Sequence, residues 1–505
     1  VSETVQHELG FEPLPELFQS NFSAAELAGR RLAVLDRLDP GDIVLVQGAP
    51  APAGSEYFRQ HNDFFYLSGV EVPSAYLLLD GRTRTTTLYL PHRDADLERS
   101  EGRRLAAEDA EEAQRLTGIE TVAGPERLAL DLQRLVLKRG PLRCHTPLSP
   151  AEGARAMRDQ LLRAAATRAS DPWDVAWSRE ARFARLVQQR FPQIAIADLS
   201  PLLDRLRLVK SESELHLLRI AGRLSARAVR EAMGCTRAGI TEYELAAVAD
   251  FVFSCGGARG EGYHAIVATG HNAWFGHYGR LGSALRGGEL VLMDYAPDVA
   301  YYTSDIGRMW PVSGRYSPLQ RLLYGFIVEY HRELLALLRP GALPDDILAE
   351  AAGVMRERIE QLHFPGSAYR DAALAALRFA GHLSHPVGMS VHDVGDYTNG
   401  PLEPGMVFAV DPMMWVHEHE LYIRCEDTVA VTEHGVEVLT ADAPLDVEEV
   451  EQAMTEPSQL LPILASRTFR VAGPAAALAD VADGGHDGPS RATSAPGAGS
   501  RLEQT

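Results

Sequence analysis

Residues 289–312 read ELVLMDYAPDVAYYTSDIGRMWPV, two apolar runs with a turn-forming stretch between them. The first run closes on Asp294; Asp305 opens the second, which continues through Ile306 and Met309 to Trp310. Short Val-, Leu- and Ile-rich runs bounded by glycine or acidic residues are expected for buried strands. A turn near Asp298 and Val299 makes the pair a hairpin and sets Asp294 beside Asp305. Two carboxylates buried side by side repel unless a cation lies between them. The stretch therefore predicts a sheet with a cation site on one face.

Downstream, MVFAVD (406–411) and LYIRCEDTVAV (421–431) read as further strands. Arg424 and Glu426 alternate around Cys425, so a strand aims both at one face. The segment GHLSHPVGMSVHDVGDY (381–397) places His382, His385 and His392 in a glycine-containing loop or strand. A carboxylate-rich set with one histidine suits harder divalent ions such as manganese better than a thiolate zinc site does. Four carboxylates (Asp294, Asp305, Asp411 and Glu426) balance the charge of two such ions. A paired site of this kind acidifies a water and polarises a carbonyl at neutral pH, so hydrolysis is the natural chemistry. Each residue also has a plain reading. An aspartate at a strand end is commonly a turn or cap residue. A lone histidine is commonly a hydrogen-bonded structural residue, and Arg424 with Glu426 is equally a surface pair worth little. Periodicity alone does not bring positions 294, 305, 385, 411 and 426 together.

Around these strands, helices are expected over 317–337 and 344–361. The clearest helical stretch is SPLLDRLRLVKSESELHLLRIAGRLSARAVREAM (200–233). There Ser211 and Glu214 make a capping box, and Leu215, Leu218, Ala221, Leu224, Ala228, Val229 and Ala232 form an apolar stripe. Toward the amino terminus, residues 41–50 and 76–90 read as strands broken by turns and 97–140 as helix-permissive. An α/β domain is therefore expected over 1–203, a mixed helix-and-strand domain over 204–450 and an extension over 451–505. Strands interleaved with helices give an α+β or α/β architecture. After about 472 the chain is Ala-, Gly-, Pro- and Ser-rich, and disorder is expected there.

The whole chain has 505 residues, 46% hydrophobic and 23% charged, which is ordinary globular composition. Forty-nine basic against 69 acidic residues give a net charge of -20, which disfavours nucleic acid as a general partner. No run is long and apolar enough for a membrane span. Residues 1–15 lack a basic patch followed by an apolar core, so no secretory signal is expected. The four cysteines have no CxxC spacing, which fits reduced thiols and a cytoplasmic protein.

Six segments, in register, resemble the proline-specific metallopeptidases of the creatinase/aminopeptidase P family. They are FGHY (275–278), LVLMDYAP (290–297), TSDIGRMWPVSG (303–314), LSHPVGMSVHDVG (383–395), LEPGMVFAVDP (402–412) and IRCEDTVAVTEHG (423–435). FRQHNDFFYLSGVEVPSAYLLL (58–79) is similar to the aminopeptidase P amino-terminal domain. The resemblance implies an α+β fold, with a pita-bread catalytic domain behind an α/β amino-terminal domain. It implies two divalent metal ions, manganese first among candidates, held by Asp294, Asp305, His385, Asp411 and Glu426, with Asp305 and Glu426 bridging. It makes His277 and His392 substrate-contacting histidines, Arg424 the arginine beside the last glutamate, and Asp411 the general base. Trp415 stands where an aromatic often lines the substrate pocket, and equally reads as core. The implied reaction is attack of a metal-bridging hydroxide on the peptide bond before a proline in second position, releasing the first residue. A homodimer or homotetramer is implied as well.

Two departures stand out. Asp411 occupies a position where the family has glutamate, one methylene longer. Gly381 falls where a histidine is usual, with His382 one residue later. A Xaa-Pro dipeptidase uses the same motifs. Metal-free creatinase-like chemistry is disfavoured because all the carboxylates are kept, and methionine aminopeptidase normally lacks the amino-terminal domain. A catalytically weak binding module on the same fold is the alternative of another class.

Overall fold

Hydrophobic patterning organises the chain around two sheets. In the computed structural model, which describes residues 17–462 apart from 55, 56, 154, 175, 176 and 459, the first sheet holds β1 (Ile43–Gln47), β2 (Tyr76–Asp80), β3 (Thr85–Tyr89), β4 (Thr121–Ala123), β5 (Leu142–Thr146) and β6 (Ile194–Asp198). Their order is β4-β3-β2-β1-β5-β6. β1, β2 and β3 pair antiparallel, while β4, β5 and β6 join parallel. Ile43, Leu45, Leu78, Tyr89, Leu142 and Ile194 bury one face of this sheet with Leu132 and Val187 of two covering helices. β4 lies inside the stretch expected to be helix-permissive, 97–140.

The second sheet is antiparallel throughout. It comprises β7 (Ile266–Thr269), β8 (Leu290–Asp294), β9 (Ile306–Pro311), β10 (Leu383–Pro386), β11 (Val407–Val410), β14 (Glu426–Val431) and β15 (Val436–Val438). Its order is β10-β11-β14-β9-β8-β7, with β15 pairing β14 at one side. A separate ribbon joins β12 (Met413–Val416) to β13 (Leu421–Arg424). Helices Glu212–Cys235, Glu242–Cys255, Pro318–Leu337 and Pro344–Gln361 accompany it, so the architecture is mixed α and β with one parallel-containing and one antiparallel sheet. Among the described residues, no helix is long and apolar enough to cross a membrane.

The expected hairpin is present, with Asp294 opposite Gly307 in the β8–β9 register. Its reversal sits slightly later than expected: Val299 bridges Tyr302, and Ala300 and Tyr301 adopt positive φ. The helical stretch 200–233 is two helices, Ser200–Leu208 and Glu212–Cys235. The break follows from competition at Val209 and Lys210, where the backbone bonds to Met406 and Gly405 instead of continuing the helix. The capping box then starts the second helix, with Ser211 N–H donating to Glu214 at 2.9 Å. The boundary expected at 203/204 falls inside the first of these helices, and that at 450/451 inside the helix Val447–Ala453. The expectation for the tail after 472 lies outside the described residues.

Candidate metal centre

Strand alternation decides which side chains meet. On β14, Glu426 and Thr428 face the same side and Asp427 the other, where Arg308 donates to it at 2.7 Å. Gly307 pairs with Asp294 on one side and Glu426 on the other, and a Cβ there would lie 3.1 Å from the Glu426 carboxylate. A side chain at 307 would fill the space the two acids share. Thr428 fixes the backbone of Asp305 from both directions: its Oγ1 accepts from Asp305 N–H at 2.6 Å and donates to Asp305 C=O at 2.8 Å.

Asp294, Asp305, Asp411 and Glu426 are all buried around Arg424. The guanidinium forks onto Asp411, with Nε to Oδ1 at 2.9 Å and Nη2 to Oδ2 at 2.8 Å, and its Nη1 donates to Asp294 at 2.8 Å. Nη2 also donates to Glu426. Arg424 and Glu426 were expected on one strand. Instead the strand breaks at Cys425: Arg424 ends β13 in the ribbon while Glu426 begins β14 in the main sheet. The kink still delivers both side chains to one place.

The charges there do not cancel. One arginine faces four carboxylates, and burial together with the neighbouring Asp305 charge pushes Asp294 up to about 7. Burial likewise raises Asp411 and Glu426. Burial alone would raise Asp305 too, but the hydrogen bond and charge of His385 outweigh it and hold that carboxyl below its ordinary value. Tyr263, which the sequence reading missed, donates its hydroxyl to Asp294 at 2.8 Å and Asp305 at 2.9 Å. Nothing in its local sequence marks it; only the fold brings it between the two acids.

His385 supplies the sharpest test of whether these residues suit a metal. Its Nδ1 lies 3.3 Å from Pro386 C=O, which can only accept, so Nδ1 carries a hydrogen. Its Nε2 then faces Asp305 Oδ2 at 3.3 Å, where Asp305 raises the ring's affinity for a second proton and where the same nitrogen can bind a metal ion instead. Two acceptors at that distance need a cation between them, either a proton or a metal ion. An orienting carbonyl behind the imidazole is also the usual arrangement for a metal-binding histidine. Ligand atoms of Asp305, His385 and Glu426 lie within 4.8 Å of one another. The oxygen-rich set with one imidazole fits hard divalent cations.

A cavity of about 720 Å³ opens onto this cluster. Asp294, Asp305, His385, Asp411 and Arg424 line it together with Tyr263, His277, His392, Trp415 and Tyr422. Arg155, Met157 and Gln160, from the amino-terminal half, line it as well and were not anticipated. The His392 ring centre lies 3.9 Å from that of His385, tilted by 34°, and 6.4 Å from that of His277. Burial lowers the pKa of both, His392 to about 4, so both are neutral at pH 7. Trp415 lines the cavity and stacks on Tyr422, with the Phe379 edge against it.

His382 lies outside the cavity. It is fully buried; its Nε2–H donates to Ala376 C=O at 2.7 Å and its Nδ1 accepts from Met413 N–H at 3.2 Å. One tautomer satisfies both bonds, and the residue is a structural tie. A Cβ at Gly381 would meet the Phe379 ring at 2.7 Å, so the place of the usual histidine is taken by that ring.

Comparison with known proteins agrees with this geometry. The model of metallopeptidase family M24 matches residues 216–433, and that of the aminopeptidase P amino-terminal domain matches residues 27–141. The Xaa-Pro aminopeptidase of Escherichia coli strain K12 is 32% identical over 456 residues, covering 86% of this chain and 98% of that protein. Xaa-Pro aminopeptidase 3 of Mus musculus is 31% identical over 418 residues, covering 79% and 78%. The solved structure of aminopeptidase P from E. coli with the inhibitor Pro-Leu matches with a TM-score of 0.70 at 30% identity, over 86% of this chain and 99% of that one. With both halves of the fold matched in order, and relatives above 30% identity along most of their length, this chain belongs to metallopeptidase family M24, its pita-bread catalytic fold preceded by an amino-terminal domain of the aminopeptidase P type.

Proposed function

We propose that this protein is a Xaa-Pro aminopeptidase, removing the first residue of peptides that carry proline in second position. The observation that carries the reading is the acidic cluster at the cavity floor, where four buried carboxylates outnumber the cations beside them and His385 Nε2 faces Asp305 Oδ2 at 3.3 Å across a place for a proton or a metal ion. Relatives named Xaa-Pro aminopeptidase over most of the chain give the specificity.

Asp294, Asp305, His385, Asp411 and Glu426 would hold two divalent ions, and the oxygen-rich donor set favours manganese. When bound, such a pair polarises the scissile carbonyl and acidifies a water at neutral pH. Arg424 holds Asp411 by both oxygens and restrains the carboxylate in one orientation. Burial raises the affinity of Asp411 for a proton, so it can take one from the attacking water and pass it to the departing proline nitrogen. His277 and His392 contact the substrate, and the neutral His277 ring can donate to the oxygen on which charge develops. Trp415 offers an aromatic face to the pyrrolidine ring. Four free thiols, three of them buried, support a cytoplasmic setting, and the family resemblance supports a homodimer or homotetramer.

The test is release of the amino-terminal residue from a Xaa-Pro-Xaa tripeptide by manganese-loaded protein, run beside a Xaa-Pro dipeptide. Tripeptide turnover that chelation abolishes is the expected result. Preference for the dipeptide would make the enzyme a prolidase, and full activity in metal-stripped protein would overturn the mechanism.

A further inference from the structure

The cavity wall opposite the metal centre comes from the amino-terminal half. The helix Arg158–Ala169 begins there, and two adjacent residues at its start go in different directions. Arg158 turns inward and pairs with Glu152 at 3.1 Å and Asp204 at 3.3 Å. Asp159 turns toward the cavity-lining His392, whose Nδ1 lies 3.2 Å from its Oδ2.

The facing segment repeats this split. His392 enters the cavity, while Asp393, next in the chain, points into the buried seam and pairs with Arg207 at 2.6 Å and Lys210 at 3.3 Å. Glu152 joins the two inward residues: one of its oxygens takes Arg158 at 3.1 Å and Arg207 at 2.7 Å. The chain of contacts is therefore closed. Arg158, Glu152, Arg207 and Asp393 fix the two backbones through the interior, and Asp159 and His392 meet beside the cavity.

We propose that Asp159 is a positioning residue, which holds the His392 imidazole in one orientation and one tautomer for substrate contact. A carboxylate oxygen only accepts, so the 3.2 Å contact requires the hydrogen on Nδ1 and leaves Nε2 of the neutral ring as an acceptor. Without Asp159 the ring can exchange tautomers and turn away from its place against His385, where the ring centres lie 3.9 Å apart. The plain alternative is a helix-surface pair, because Asp159 also accepts from Arg163 one turn on. Such a pair would act through the charge of Asp159 and not through His392.

The inference rests on the Xaa-Pro reading for its kinetic readout, and a double-mutant cycle with crystallography tests it. Asp159→Ala should lower kcat/KM on a Xaa-Pro tripeptide about ten- to a hundredfold, mostly in kcat, with metal content unchanged. Asp159→Asn, whose amide oxygen accepts from the same N–H but cannot pair with Arg163 as an ion, should recover to within about threefold of wild type. In a His392→Ala background, Asp159→Ala should add nothing. Equal losses in both backgrounds, full activity of Asp159→Ala, or Asp159→Asn as slow as the alanine variant would each overturn the proposal. A crystal structure of Asp159→Ala decides it whatever the substrate: a displaced His392 ring is expected, and a ring unmoved on His385 would overturn the inference without touching the Xaa-Pro reading.

Discussion

Two of the buried clusters of arginine and carboxylate among the described residues differ in their balance. At the seam, Arg158, Arg207 and Lys210 meet Asp63, Glu152 and Asp393. Three cations face three anions, with Asp204 at the margin, where burial lifts it to about 6. At the cavity floor, Arg424 and His385 face Asp294, Asp305, Asp411 and Glu426. The same residue types thus do different jobs. A closed set of charges locks segments together, whereas an excess of one sign is a demand for something from outside. Their response to protons differs in sign as well. Arg207 and Lys210 overcome the effect of burial and hold Asp393 below its ordinary range, while burial lifts Asp294 to about 7.

Breaking the seam should have the largest effect. Arg207→Ala leaves two cations, Arg158 and Lys210, to three buried carboxylates and should cost about 3–5 kcal/mol, read from urea unfolding of the metal-loaded protein. An unchanged midpoint would mean the seam is wetter than its burial indicates. The next effect belongs to the floor. Asp305→Asn should reduce turnover by more than about a hundredfold, beyond the loss of an outer partner, with circular dichroism unaltered. Retained turnover would place the chemistry elsewhere. Adding manganese to stripped wild-type protein at about a hundred times its dissociation constant should stabilise it by about 2.7 kcal/mol, measured as a rise in thermal midpoint. The balanced seam gains nothing from such an addition.

Smaller still is a pH signature that separates the two clusters. Asp294 keeps its proton up to about pH 7 when folded but loses it near 3.8 when unfolded. Over that window the folded state binds more protons, so metal-free protein should lose stability as pH rises from about 4 to 7. Asp294→Asn should flatten that slope and stabilise the metal-free protein above pH 7 by on the order of 1 kcal/mol. Asp393 works the other way: its contribution is full above the unfolded value and fades as pH falls through the lower folded one. A metal-free protein whose stability is level between pH 4 and 7 would show that the floor is less acidic than its side chains suggest.

Much of the fold was legible because its determinants are local. The β8–β9 hairpin, the strands around 407–410 and 426–431, and the capping box at Ser211 depend on neighbours a few residues away. The candidate site was legible only where resemblance supplied the long-range pairing. Even then, the strand break at Cys425 was missed, since an unbroken apolar run does not reveal that its two halves belong to different sheets. Tyr263 and Asp159 were missed because each acts on residues far off in the chain, 31 and 233 positions away. His382 is the converse case: in sequence it stands beside two cavity histidines, and packing makes it a tie between Ala376 and Met413.

Taken alone, the amino-acid order determined which segments are strands and helices, and that several acids and histidines sit on or near buried strands, because periodicity and turn chemistry act over short distances. Tertiary structure alone decided that three of those acids share one arginine, that a tyrosine stands between two of the acids, and that a wall from the amino-terminal half reaches His392. Burial and charge balance are properties of the assembled interior. They exist only once distant segments have excluded water together.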